Sequence, residues 1–75
     1  MELKDMVRMA NQIASFYHGY PEAEASREIA DHINRFWEPR MREELLDHLA
    51  QGGKGLAPVV VAAAAQIHKP DMAAA

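Results

Sequence analysis

The stretch Leu56-Ala57-Pro58-Val59-Val60-Val61-Ala62-Ala63-Ala64-Ala65-Gln66-Ile67 separates an all-helical chain from a mixed one. Its three valines favour a strand and its alanines favour a helix. Pro58, with φ already near the helical value, suits the first position of a helix, and no other segment reads as a strand for this one to pair with. The segment is therefore expected to be helical, to stop at Pro70, and to leave residues 70–75 as a frayed tail.

Upstream, the same punctuation recurs. Leu3, Met6, Val7, Ala10, Ile13, Ala14 and Tyr17 recur at i, i+3, i+4 and i+7, which predicts a helix from Glu2 to His18 with one apolar stripe; Met9 and Phe16 lie off that stripe. Gly19 supplies a left-handed stop, and Pro21 suits the start of a second helix. That helix places Glu22 and Glu24 at the positive end of its dipole and forms its stripe from Ile29, Ala30, Ile33, Phe36 and Trp37. Pro39 ends it and opens a third, with Met41, Leu45, Leu46 and Leu49 as the stripe and Gln51-Gly52-Gly53 as the stop. The expected architecture is an all-α, single-domain bundle of three to four short helices over residues 1–69, with corners marked by proline and glycine.

A chain of 75 residues buries only about 60% of the surface its unfolded form exposes, so its core is thin. With no cysteine, neither a disulfide nor a thiolate zinc site can staple it, and association with a partner is the remaining support. The alternating charge of the first residues does not resemble a secretory signal, and the apolar run Ala57 to Ala65 is far shorter than the roughly 20 residues that cross a bilayer. A cytoplasmic chain with no membrane contact is expected. Its formal net charge of −3 opposes general nucleic-acid binding.

Catalytic chemistry finds few parts. Gly52-Gly53-Lys54-Gly55 lacks the preceding strand, the glycine spacing and the following Ser or Thr of a phosphate loop, and reads as a helix cap and turn. His18, His32, His48 and His68 are never three or four residues apart, so no two share a helix face as zinc ligands do. Glu28 with His32, and Glu44 with His48, are four apart and read as surface pairs; their convergence on a metal is the enzymatic alternative. Without cysteine, and with only Ser15 and Ser26 as aliphatic hydroxyls, no nucleophile stands in a recognisable setting. No catalytic, cofactor-binding or metal-ligating residue is expected in this chain.

Arg35-Phe36-Trp37-Glu38-Pro39-Arg40-Met41-Arg42 gathers three of the five arginines and the one tryptophan into eight residues. Arginine, tryptophan and methionine are enriched at interfaces, and a helix–Pro–helix corner presents them rigidly. An equally ordinary arrangement puts Phe36 and Trp37 in the core with the arginines as a solvated rim. The expected partner interface comprises Arg35, Phe36, Trp37, Arg40, Met41 and Arg42, with Asn11, Gln12 and Phe16 as a second surface. A competing function is a regulatory helical module that binds nucleic acid through Arg35, Arg40 and Arg42.

Three segments resemble the delta subunit family of soluble NAD-dependent formate dehydrogenases. They are Val7-Arg8-Met9-Ala10-Asn11-Gln12-Ile13 followed by Phe16, then His32 with Phe36-Trp37-Glu38-Pro39-Arg40-Met41-Arg42, and finally His48-Leu49 leading to Gly52-Gly53-Lys54-Gly55-Leu56. The Phe-Trp-acid-Pro-Arg-Met-Arg run is the most specific; Ala14 departs from an expected glycine, and the region from Val61 onward carries no family signal. The resemblance implies a cytoplasmic complex that oxidises formate to carbon dioxide and reduces NAD. It implies a molybdenum or tungsten pterin cofactor and iron–sulfur clusters in a large alpha subunit, with FMN and further clusters in beta and gamma subunits. The delta subunit would then be an accessory part without a redox centre that docks on the alpha subunit.

Overall fold

The computed structural model describes residues 2–69, and the expected tail at residues 70–75 lies outside them. Four α-helices follow one another: α1 Leu3–Ser15, α2 Glu22–Phe36, α3 Pro39–Ala50 and α4 Pro58–Ala63, the last running into a 3-10 turn at Ala64–Gln66. The described residues contain no strand, so the valines of the deciding segment yield to Pro58 and the alanines, and the chain is all-α.

Prolines start helices as the sequence suggests, with one displacement. Pro39 and Pro58 are the first residues of α3 and α4. Pro21 instead stands just outside α2, with ψ at 142°, and its carbonyl accepts the N–H of Ala25 at 2.9 Å. The first helix is shorter than predicted. After Ser15 the chain tightens into turns in which Phe16, Tyr17 and His18 donate to the carbonyls three residues back, and Gly19, at φ 91°, turns it toward α2. The end of α3 follows the glycine rule closely: the N–H groups of Gly52 and Gly53 return to the carbonyls of Leu49 and His48, the paired bonds of a Schellman cap, with Gly52 at φ 114°.

The core is where the stripes meet. Met6, Ala10 and Ile13 of α1, Ile29, Ala30 and Ile33 of α2, Leu45 of α3, and Leu56, Val60, Ala63 and Ile67 around α4 form one buried cluster with Trp37. Each of the fully buried large side chains, Met6, Ile29, Ile33, Leu45 and Val60, contributes about 1.5–3 kcal/mol of transfer free energy. Two stripe positions leave the core: Leu3, the first residue of α1, and Phe36, the last of α2, are exposed. The most extensive packing in the molecule is between α2 and α4, while α3 leans mainly on α1.

Two asparagines tie α4 in place. The Asn11 amide on α1 donates to the carbonyl of Gly55 at 2.9 Å and accepts the N–H of Ala57 at 2.8 Å. The Asn34 amide on α2 donates to the carbonyl of Gln66 at 3.0 Å and accepts the N–H of His68 at 2.7 Å. Each side chain thus grips a C=O and the N–H two residues on, as an adjacent strand would, at opposite ends of the same short helix. A six-residue helix has too few internal bonds to persist alone, so these clasps and the apolar underside hold it. They stand where a disulfide is unavailable.

Candidate functional site

The corner between α2 and α3 divides its residues by direction. α2 stops at Phe36 because Trp37 turns extended, with ψ 132°, and Glu38, preceding proline, remains extended at ψ 159°. That change of direction sends the Trp37 ring into the core, where it is 6% exposed, and leaves Phe36 71% exposed. Of the two readings open from sequence, each therefore describes one of the two aromatic residues. The Phe36 ring rests on the His32 ring one turn back, with centroids 4.9 Å apart and planes at 45°.

Arg42 turns back from α3 to the end of α2. Its Nη1 donates to the carbonyls of Asn34 at 3.3 Å and Trp37 at 3.2 Å, its Nε is buried without a partner, and the residue is half-buried. A guanidinium at this position meets carbonyls that the helix itself cannot satisfy and the negative end of its dipole. Arg42 therefore braces the corner. Arg35 and Arg40 face solvent, with Arg35 pairing Asp31 at 3.3 Å; the pair is exposed and contributes little to stability. Met41 is half-buried against the core.

The second predicted surface also divides. Asn11 is committed to the clasp on Gly55 and Ala57, whereas Gln12 and Phe16 are exposed, Phe16 at 72%. Phe16 and Phe36 lie at opposite ends of α2, whose 15 residues span about 22 Å at 1.5 Å per residue. The structure does not bring the two predicted surfaces together. Beside Phe16, Tyr17 and Tyr20 meet edge to face at 5.5 Å and border an open cleft of about 480 Å³ with His18, Glu22 and Pro58.

The histidines of the two candidate Glu–His pairs make local contacts. His48 donates through Nε2 to the carbonyl of Lys54 at 2.7 Å and so fixes the loop after α3, and His32 faces Phe36. Among the described residues no three His, Asp or Glu side chains group as metal ligands, and no helix is long and apolar enough to cross a membrane. Gly52-Gly53-Lys54-Gly55 is the cap of α3 and the turn that follows it.

Asn34 was not singled out from the sequence. The available signal was an asparagine inside a helix, where it is a poor helix former and so implies a contact elsewhere.

A search of curated protein sequences finds no match. The family model described as NADH-dependent formate dehydrogenase delta subunit FdsD matches residues 5–64, which include all four helices but the first two residues of α1, and the chain belongs to that family.

Proposed function

We propose that this chain is a non-catalytic accessory subunit that docks on the large alpha subunit of a cytoplasmic formate dehydrogenase complex and supports its assembly, cofactor retention or stability. The observation that carries this reading is an exposed aromatic and two exposed arginines on a braced corner, in a chain of the delta subunit family. Exposed aromatic and arginine side chains held in fixed positions are what protein interfaces use as anchors.

The chemistry of formate oxidation is assigned to the other subunits. A pterin-bound molybdenum or tungsten, iron–sulfur clusters and FMN would supply the redox steps there. This chain fits none of them: it has no cysteine to ligate a cluster, and its short helices offer no dinucleotide-binding unit. The contribution left to it is linkage. A subunit that binds only the assembled form of its partner stabilises that form by RT ln(1 + [L]/Kd), about 2.7 kcal/mol at a hundredfold excess over Kd.

The test is to express the complex with and without this chain. Without it, molybdenum or tungsten content, formate-dependent NAD reduction and thermal half-life should fall. Equal values in the two preparations would exclude a supporting role. The nucleic-acid alternative is disfavoured, because Arg42 is turned onto backbone carbonyls and the formal net charge is −3.

A further inference from the structure

We infer that the cleft beside Tyr17 and Tyr20 receives a basic side chain, arginine or lysine, from another subunit of the complex; the source of that side chain rests on the docking reading above, and the cleft's preference for a cation does not. The cleft measures about 480 Å³ and lies where the end of α1, the start of α2 and the start of α4 meet. Both tyrosines line it, Tyr20 at 50% exposure and Tyr17 half-buried. Their planes stand at 75° with centroids 5.5 Å apart. An edge-to-face pair engages one of its four ring faces, so each ring keeps a face for a further contact. Such faces attract cations through the ring quadrupole.

The charges around the rings point the same way. Besides the two phenols, the titratable groups on the wall are the Glu22 carboxylate and the His18 imidazole; no lysine or arginine lines the cleft. Glu22 makes no ion pair among the described residues. Ala14 and Ser15 bring the negative end of α1 to the cleft, and the last turn of that helix holds no basic residue. Two helices also begin there and offer the opposite sign. α2, however, already sets Glu22 and Glu24 in its first turn, and α4 has six residues and opens with Pro58, which has no N–H. The balance favours a cation.

Guanidinium and ammonium groups suit both features at once. A guanidinium stacks on an aromatic face while its edge donates to a carboxylate, and an ammonium sits over a ring with its donors turned to the same acceptor. A second copy is the poorer source. Each copy carries a formal net charge of −3, so like charge opposes the encounter, whereas a subunit family supplies partners of other sequence.

The free chain should be titrated with N-acetyl-arginine amide, N-acetyl-lysine amide and the uncharged isostere N-acetyl-citrulline amide, with binding read from the NMR signals of the two tyrosine rings. Both cations should shift both rings saturably, and citrulline should bind at least about tenfold more weakly. Tyr20→Leu should weaken the arginine compound by about 3- to 30-fold, and Tyr20→Phe, which keeps the ring, by less than about twofold. Equal binding of citrulline and arginine, no saturable shift with either cation, or equal losses in the two variants would overturn the site and leave docking untouched. The source is tested by co-expressing the complex with the tagged chain as wild type, Tyr20→Phe or Tyr20→Leu. Only Tyr20→Leu should weaken the affinity for the remaining subunits. Wild-type affinity in Tyr20→Leu, or self-association of the free chain that Tyr20→Leu abolishes, would refute another subunit as the source. Failure of the wild-type chain to bind the complex would overturn docking and that source together, while the titration still decides the cation site.

Discussion

Replacing Asn34 with alanine should loosen one end of α4 without touching the core. The substitution removes two hydrogen bonds, at 3.0 Å to Gln66 and 2.7 Å from His68. Each is worth about 0.5–1.5 kcal/mol net, so the pair contributes about 1–3 kcal/mol. Alanine returns roughly 0.5 kcal/mol as the better helix former in α2. The balance, about 0.5–2.5 kcal/mol, corresponds in a domain of this size to a melting temperature lower by roughly 3–15 °C. Thermal melts followed by circular dichroism give the magnitude, and amide exchange gives the location: the His68 N–H should lose protection first. Asn11→Ala should do the same to the Ala57 N–H, which its side chain accepts at 2.8 Å. If Asn34→Ala melts within about 2 °C of wild type and His68 exchanges no faster, the clasps are incidental and the packing of Val60, Ala63 and Ile67 alone holds α4.

Two further substitutions separate the roles at the corner. Trp37→Ala should cost about 3–5 kcal/mol by emptying a buried ring, enough to unfold much of the free chain; an unchanged melt would show that the ring is not core. Arg42→Ala should destabilise by about 1–3 kcal/mol through carbonyls left without their charged donor, whereas Arg40→Ala should stay within about 0.5 kcal/mol. Denaturant titration of both distinguishes them, and equal stabilities would mean that Arg42 does not brace the corner.

The elements were legible in the sequence because their signals are local. Pro39 and Pro58 preset φ where helices begin, Gly52 permits the left-handed cap where α3 ends, and the 3.6-residue stripes name most of the core. Local signals fail at boundaries and across distance. Phe36, the last residue of α2, fits its stripe, so periodicity alone assigns it to the core and the structure assigns it to solvent. Arg42 looks like a surface arginine until the end of α2 comes within reach of its guanidinium. The clasps join Asn11 to residues 44 and 46 positions away, and nothing near Asn11 in sequence announces them. Of the candidate interface, Arg35, Phe36, Arg40, Gln12 and Phe16 remain free for a partner, while Asn11, Trp37 and Arg42 are spent on the fold.

The dependence of α2 on α4 also sets an order in time. A ribosome adds about 5–20 residues per second from the N-terminus, so α1 to α3 leave it before the segment that covers Ile29, Ala30 and Ile33. Helices form in under a microsecond or so, so during translation these three wait with their apolar faces open to solvent. Closure then requires bringing together segments more than thirty residues apart, which slows folding relative to a bundle closed by adjacent hairpins. A nascent chain of this sequence is therefore most vulnerable to chaperone capture or self-association in the interval before Leu56 to Ile67 leaves the ribosome.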